Sequence, residues 1–328
     1  MKKILITGGA GFIGSHIVQY YLIKKFKVIV LDNFSTGRIS NLKNLKNNKN
    51  LQIVKTDISK DKKIHKYLKN VEYVFHLASL ADIVPSIENP ISYFNANVVG
   101  TINLMEAIKK NKIKKIIYSA SSSCYGIPSK FPTKENEKIN PQYPYALTKR
   151  LGEEIICHYS KIYNISFISL RLFNVYGPRS RTSGTYGAVF GVFLAQKIAK
   201  KPFTIVGDGN QTRDFTFVSD IVEAFHKAAH SKCKNEIFNI GSNQTYSINY
   251  LAKLLKGKKI YLPKRPGEPN CTWADTKKAK KLLGWQPKIN LKEGVKILME
   301  NIDYWKYAPV WDKNKIKKAT KNWFKYLS

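Results

Sequence analysis

The chain has 328 residues, 43% of them hydrophobic, and 56 Lys and Arg against 22 Asp and Glu give a formal net charge of +34. That length is enough to bury one large core or two lobes, and no apolar run approaches the roughly 18 residues of a membrane span. Only seven of the basic residues are Arg, and the lysines run along the whole chain, as in "NLKNLKNNKNLQIVK" and "DKNKIKKATKNWFK". This is a compositional bias toward Lys, Asn and Ile and not the clustered basic face of a nucleic-acid binder.

Cys124, Cys157, Cys233 and Cys271 are far apart and form no C-x-x-C pair, so reduced thiols are expected, with no disulfide framework and no metal site. The opening "MKKILITGGAGFIG" has the lysines and apolar run of an export signal. Its interior glycines and missing cleavage site make it a strand and turn instead, and a cytoplasmic protein is expected.

In chain order, "KKILITG" is a short apolar run closed by glycine, which predicts a buried first strand. Residues 12–24 carry helical periodicity, and "KVIVLD" is the second strand. "LQIVKTD", "EYVFHLA", "KKIIYSAS" and "SFISLRLFN" repeat the strand pattern, with helices predicted between them over 97–111 and 144–163. Such alternation predicts an α/β protein with a parallel sheet wound on both faces. After "NVYGPRS" the pattern breaks up. "RDFTFVSDIVEAFHKAAH" and "EIFNIGS" read as returns to the core sheet, and "LPKRPGEPN" as a turn. "LKEGVKILMENIDYW" is an amphipathic helix, and the aromatic residues of 304–327 read as the packing of a C-terminal helix.

Gly8, Gly11 and Gly14 lie between the first strand and first helix. Lacking Cβ, they let the chain turn tightly and let backbone approach a pyrophosphate at a helix N-terminus. The spacing is G-x-x-G-x-x-G and not the usual G-x-G-x-x-G, but the strand before it and the helix after it predict a dinucleotide site. Asp32 ends the second strand, 18 residues beyond Gly14. A carboxylate there accepts from ribose hydroxyls and repels a 2′-phosphate, which favours NAD over NADP. Arg38 is the one opposing feature. Asp57 follows the third strand, and either binds the adenine amine or caps a helix.

Tyr145 and Lys149 in "PYALTK" have the spacing that puts two side chains on one face of a helix. Tyrosine is a weak base at neutral pH, and a nearby ammonium favours its phenolate. Tyr20/Lys24 and Tyr21/Lys25 share the spacing, have no polar strand end nearby, and read as surface. Only Tyr145 has a Ser-rich strand end upstream, with Ser121 in "SASSSCYG". With the dinucleotide site, this points to hydride chemistry on an alcohol. Arg171, Arg179, Arg181, Arg213 and Arg265 all sit beside motif-like residues, where a planar fork can grip a phosphate. An Arg213–Asp214 ion pair is the structural alternative. His76 reads as a buried, hydrogen-bonded residue.

The motifs "TGGAGFIGSH", "HLAS", "NVVGTINLMEA", "SSSCYG", "PYALTK", "LRLFNVYGPR", "GDGNQTRDFTFVSD" and "WADTKKAKKLLGW", in that order, resemble the extended short-chain dehydrogenase/reductase family, and within it the NAD-dependent nucleotide-sugar epimerases and dehydratases. The resemblance spans essentially the whole chain. It implies a Rossmann-type doubly wound parallel sheet with a smaller C-terminal substrate-binding lobe. Residues 1–177 plus 216–241 would bind NAD, and residues 178–215 plus 242–328 the sugar nucleotide. Ser121, Tyr145 and Lys149 would be catalytic, the last two also touching NAD. The cofactor would meet Gly8, Gly11, Phe12, Ile13 and Gly14, then Asp32, Asn33, Asp57 and Ile58, and finally Leu77, Ala78 and Asn97. Ser122, Ser123, Asn174 and Thr272 would face the substrate. Arg213 and Arg265 would grip its diphosphate, with Asp275 close by. A homodimer is implied, formed by helices at about 97–111 and 146–163, with Leu104, Ile108, Ile155 and Tyr159 as contacts.

Relatives that eliminate water or decarboxylate carry an acid two residues before the Tyr of the "YG" motif, and the 4,6-dehydratases have Asp-Glu there. This chain has Ser122 and Ser123. Elimination needs a general acid and a base, whereas epimerisation needs only oxidation and re-reduction at one carbon, so the pattern resembles a UDP-sugar 4-epimerase. The segment between "FN" and "RD" is shorter than in galactose-type epimerases and resembles those serving bacterial surface polysaccharides. The residue before the aromatic of the "WAD" motif gates the sugar's C2 substituent in such enzymes. Thr272 there implies room for an N-acetyl group. A UDP-glucuronate 4-epimerase, a 4,6-dehydratase or 4-keto reductase, and a non-enzymatic nucleotide- or RNA-binding relative remain alternatives.

Overall fold

The computed structural model describes residues 1–180 and 188–327, and Arg181 falls outside them. The first strands in chain order are β1 (Lys3–Thr7), β2 (Lys27–Asp32), β3 (Leu51–Lys55), β4 (Tyr73–His76), β5 (Lys115–Ser121) and β6 (Phe167–Leu172). They are followed by β7 (Asn174–Tyr176), β8 (Phe203–Val206), β9 (Thr212–Arg213) and β10 (Phe215–Phe217). The last three are β11 (Glu236–Ile240), β12 (Tyr246–Ser247) and β13 (Lys259–Leu262). Seven of them form one sheet in the order β11-β6-β5-β4-β1-β2-β3, every pair parallel.

The strands of this sheet are apolar on both faces because both faces are covered. Ile4 and Ile6 of β1 join a cluster under the helices Phe12–Ile23 and Val218–His230. Leu5 joins the opposite cluster, under Gly100–Lys109 and Pro144–Tyr163. Tyr21, expected at the surface, is fully buried in the first cluster. Its ring packs against those of Phe26 and Phe75.

The predicted helix 144–163 is observed as Pro144–Tyr163, with proline at its first turn and Asn164 closing it in the left-handed conformation. The predicted helix 97–111 begins instead as a π-helical turn, Asn95–Val99, running into Gly100–Lys109. Leu104 and Ile108 of that helix are fully buried within the chain, so they cannot serve as dimer contacts; Ile155 and Tyr159 are half-buried.

Of the two segments expected to rejoin the main sheet, only β11 does. β10 pairs in parallel with β7 in a separate two-stranded sheet. β7 and β10, together with the parallel pair β8–β13, pack around Tyr176, Phe193, Phe203 and Trp305 in a third apolar cluster. The carboxyl ends of β1, β4, β5 and β6 and this third cluster enclose one cavity of about 680 Å³, at the edge where open α/β sheets bind ligands. No helix among the described residues is long and apolar enough to cross a membrane.

Candidate active site

The floor of the cavity is the β1 turn. Gly8 has φ +70°, and a Cβ there would lie 2.7 Å from the Ala78 backbone nitrogen. A Cβ on Gly14 would fall on the Gly8 carbonyl oxygen. Gly11 is the N-cap of Phe12–Ile23 and makes no side-chain cap, so the first backbone N–H groups of that helix remain for an anion. Gly8, Gly11, Phe12, Ile13 and Gly14 all line the cavity, as do Leu77 and Ala78 on the neighbouring strand end.

Asp32 is almost completely buried. Its carboxylate accepts from Ala10 N–H at 2.9 Å and Phe34 N–H at 2.8 Å, leaving lone pairs for a hydroxyl. Burial pushes its pKa up against these two bonds. Asp57, Ile58 and Asn33 continue the wall. Asp57 caps no helix. It accepts from the Ser59 N–H and hydroxyl and from Asn33, bonds that outweigh partial burial and hold it below the usual carboxylate range. A glycine-rich turn at a helix N-terminus followed by a buried carboxylate is the donor and acceptor set that a dinucleotide requires. Arg38 does not line the cavity; it hydrogen-bonds the Tyr304 hydroxyl.

Asn97 departs from its expected role. It is buried in the π-helical turn outside the cavity lining. Its amide accepts from Leu80 N–H at 2.8 Å and donates to Leu80 O at 3.0 Å and Thr148 Oγ1 at 2.9 Å. The side chain is spent on tying the loop after β4 to the helix that carries Tyr145.

Ser121 ends β5, and its hydroxyl lies 2.8 Å from that of Ser123. Both hydroxyls lie near enough to the Tyr145 phenol to favour its ionised form, which gathers the three at one place. Burial pushes the Tyr145 phenol above its ordinary pKa, the Ser121 hydroxyl opposes this, and the Asp82 carboxylate pushes it up further. Among the protein's own groups, then, desolvation of the ring wins over the expected lowering by Lys149. Lys149 sits 4.5 Å from the centre of the Tyr118 ring, and burial brings its pKa down to about 7 against the pull of Glu153. Glu153, one turn further along, is clasped by Arg171 at 2.7 Å and Arg150 at 2.6 Å, with Ser169 donating at 2.7 Å.

That accounts for Arg171, whose planar fork grips a carboxylate inside the protein and no phosphate. Arg179 donates to Ser15 O and Gln19 and lies outside the cavity lining. Arg213 and Arg265 do line it, as do Ser122, Asn174 and Thr272. Arg213 pairs with Glu268 at 2.9 Å and not with Asp214. Asp214 is taken up by Ala274 N–H, Ser242 and Thr216, and burial raises it to about 6. Arg265 is 3.9 Å from the same Glu268. Thr272 donates to Asn174 Oδ1 at 2.8 Å. Asp275 is not in the lining; it accepts from Lys277 N–H at the start of the helix Lys277–Leu283.

His76 is buried between Thr7 at 2.8 Å and Thr101 at 2.9 Å, and burial lowers it to about 3, a neutral structural residue as expected. Asp82, Tyr143, Glu268 and Trp323 are among the lining residues that carry no recognisable motif in the sequence. Trp323 had been read as helix packing. It is buried, and it also walls the cavity.

The model of one protein family, GDP-mannose 4,6 dehydratase, matches residues 5–298. The chain belongs to this family. A relative named as a putative UDP-glucose 4-epimerase, of Methanocaldococcus jannaschii, is 42% identical over 89% of the chain and 96% of its own length. The solved UDP-N-acetylglucosamine 4-epimerase of Methanobrevibacter ruminantium, in complex with UDP-N-acetylmuramic acid, superposes with a TM-score of 0.85 at 35% identity, over 92% of this chain and 99% of that one. The UDP-glucuronic acid 4-epimerase of Bacillus cereus, with UDP-glucuronic acid and NAD, gives 0.85 at 35% identity, over 93% and 99%. Within the dehydratase family, this member has Ser122 and Ser123 ahead of the buried Tyr125.

Proposed function

We propose that the chain is an NAD-dependent 4-epimerase of UDP-sugars. The observation that carries this reading is the cluster of Ser121, Ser123 and Tyr145 hydroxyls above buried Lys149. No carboxyl stands at Ser122 or Ser123 to protonate a departing hydroxyl. Removal of water needs such an acid; inversion of one alcohol does not. When bound, NAD supplies the hydride acceptor and donor, and its positively charged ring favours the phenolate of Tyr145.

The chain's residues do the rest. The glycine turn of Gly8, Gly11 and Gly14 holds the pyrophosphate, and Asp32 and Asp57 hold the adenosine. Tyr145 takes the proton of the sugar 4-hydroxyl, directly or through Ser121, and later returns it. Lys149 steadies the phenolate, and the buried Glu153–Arg171 pair fixes the face of the helix on which both stand. Arg213 and Arg265 keep the diphosphate anchored while the 4-keto sugar turns over. Glu268, between the two arginines, gives way to that diphosphate. Asp82 lines the cavity and its charge reaches Tyr145, so a sugar carboxylate meets repulsion there. This favours a neutral hexose or N-acetylhexosamine over a uronic acid.

Thr272 is small and turned toward Asn174. The N-acetyl sugar is accepted in this reading at least as well as the plain hexose. In this reading residues 178–215 plus 242–328, joined by β7 and β10, supply the lobe that holds it, and the enzyme works in the cytoplasm as a homodimer. Tyr145→Phe tests the chemistry: the ring still packs, the proton acceptor is gone, and turnover falls about 10²–10⁴-fold with bound NAD retained. Activity within tenfold of wild type would remove Tyr145 from the mechanism.

A further inference from the structure

The family match ends at residue 298, yet Ala308, Pro309, Trp311 and Trp323 line the cavity. The segment after the helix Leu291–Glu300 is tied down along its length. Gln196 donates to Trp311 O at 2.6 Å, and the helix Lys321–Leu327 packs on the helix Ile83–Glu88. Trp323, at the heart of that last helix, is 2% exposed. Its indole N–H donates to Pro266 O at 2.8 Å, and the Arg265 guanidinium lies 5.2 Å from the ring centre. Tyr143 flanks the same ring at 6.3 Å, two residues before Tyr145.

We propose that the C-terminal strap is part of the substrate site, with Trp323 as the positioning residue that presents Arg265 to the substrate's diphosphate. A guanidinium held over an aromatic face is restricted in position, while the N–H groups at its edge can still make paired bonds with a phosphate. Fixing the Pro266 carbonyl from the same indole holds the loop that carries Arg265. The cation is therefore ordered before the ligand arrives, and less freedom is lost on binding. The face of the ring matters more than its N–H in this arrangement, and the benefit goes to a ligand with a diphosphate.

This rests on the nucleotide-sugar reading, but binding alone tests it. UDP and UMP are titrated calorimetrically into the full-length protein, Trp323→Phe, Trp323→Leu and Arg265→Ala, and into the Arg265→Ala/Trp323→Leu double variant. Trp323→Leu weakens UDP by about tenfold and UMP by about twofold at most, whereas Trp323→Phe, which keeps an aromatic face, stays within about threefold. In the Arg265→Ala background, Trp323→Leu has no further effect, because the two residues act as one unit. Equal losses for Phe and Leu, equal losses for UDP and UMP, or additive losses in the double variant would overturn the role. If Trp323→Leu does not fold, the Phe variant and a Trp323→Met variant carry the same comparison. A wild-type protein that binds UDP but converts no sugar would refute the epimerase reading and leave this inference standing. One that does not bind UDP would refute this inference.

Discussion

Lys149 carries a cost that can be measured apart from catalysis. Its pKa in the folded chain is about 7, while an unfolded lysine titrates near 10.4. Between those values the unfolded state binds the extra proton, so stability rises with pH across that window; below about 7 the full penalty of a buried ammonium is present, and above about 10.4 it is gone. Lys149→Met should accordingly melt higher than wild type in cofactor-stripped protein, by a few kcal/mol at pH 7 and below. The gain should shrink toward zero as the pH approaches 10. A pH-independent difference in thermal midpoint would contradict the burial of this charge. The proposed catalytic residues Ser121, Tyr145 and Lys149 stood out because a Tyr-x-x-x-Lys pair, a serine strand end and a glycine turn each have a local signature, and all three line the cavity. Asn97 is the expected cofactor residue that the structure does not place in the cavity lining, and its neighbours in sequence do not reveal that Leu80 and Thr148 will hold its amide. Glu268 and Asp82 left no signal, because Arg213 and Tyr145, which they meet in the cavity, lie far away in the chain.

The glycine turn is where one element most clearly governs another. A methyl on Gly14 would collide with the Gly8 carbonyl oxygen and the Gly9 Cα, neither of which can move without lifting the helix Phe12–Ile23 off β1. Gly14→Ala should emerge from purification with little or no bound NAD, and with stability reduced by roughly 1–3 kcal/mol. Cofactor content equal to wild type, read from the absorbance of the denatured supernatant, would show that the close packing is dispensable. The strands of the main sheet were readable as apolar runs, and Pro144–Tyr163 was readable as a helix from its proline start. β10 was not. "DFTFV" has the pattern of a buried strand whichever sheet it joins, and its partner β7 is fixed only when the chain folds over the sheet edge. The π-helical turn was likewise hidden, since nothing in "NANVV" separates a π-helical turn from an α-helical one.

At the scale of the molecule, one cavity collects residues from β1 to the C-terminal helix, and the order of motifs in the sequence anticipated its polar and glycine residues better than its apolar walls. The strap was missed because Trp311 and Trp323 look like any aromatic packing until the cavity is seen. The dimer surface was half misassigned, because Leu104 and Ile108 face inward to the sheet. The outward edge of the same two helices holds Glu106 bonded to Tyr159, and Lys109 over the Tyr163 ring, with Ile162 and Tyr163 exposed. Light scattering at micromolar concentration should give twice the chain mass of 37.5 kDa, and a monomer mass would exclude that face as an interface. The central claim is tested most directly by incubating the purified protein with UDP-glucose or UDP-N-acetylglucosamine, adding no cofactor, and following the sugar by NMR and mass spectrometry. The account predicts the C4 epimer at unchanged mass, formed from the N-acetylated sugar at least as readily as from UDP-glucose. A product lighter by one water, or no conversion of either sugar, would contradict it.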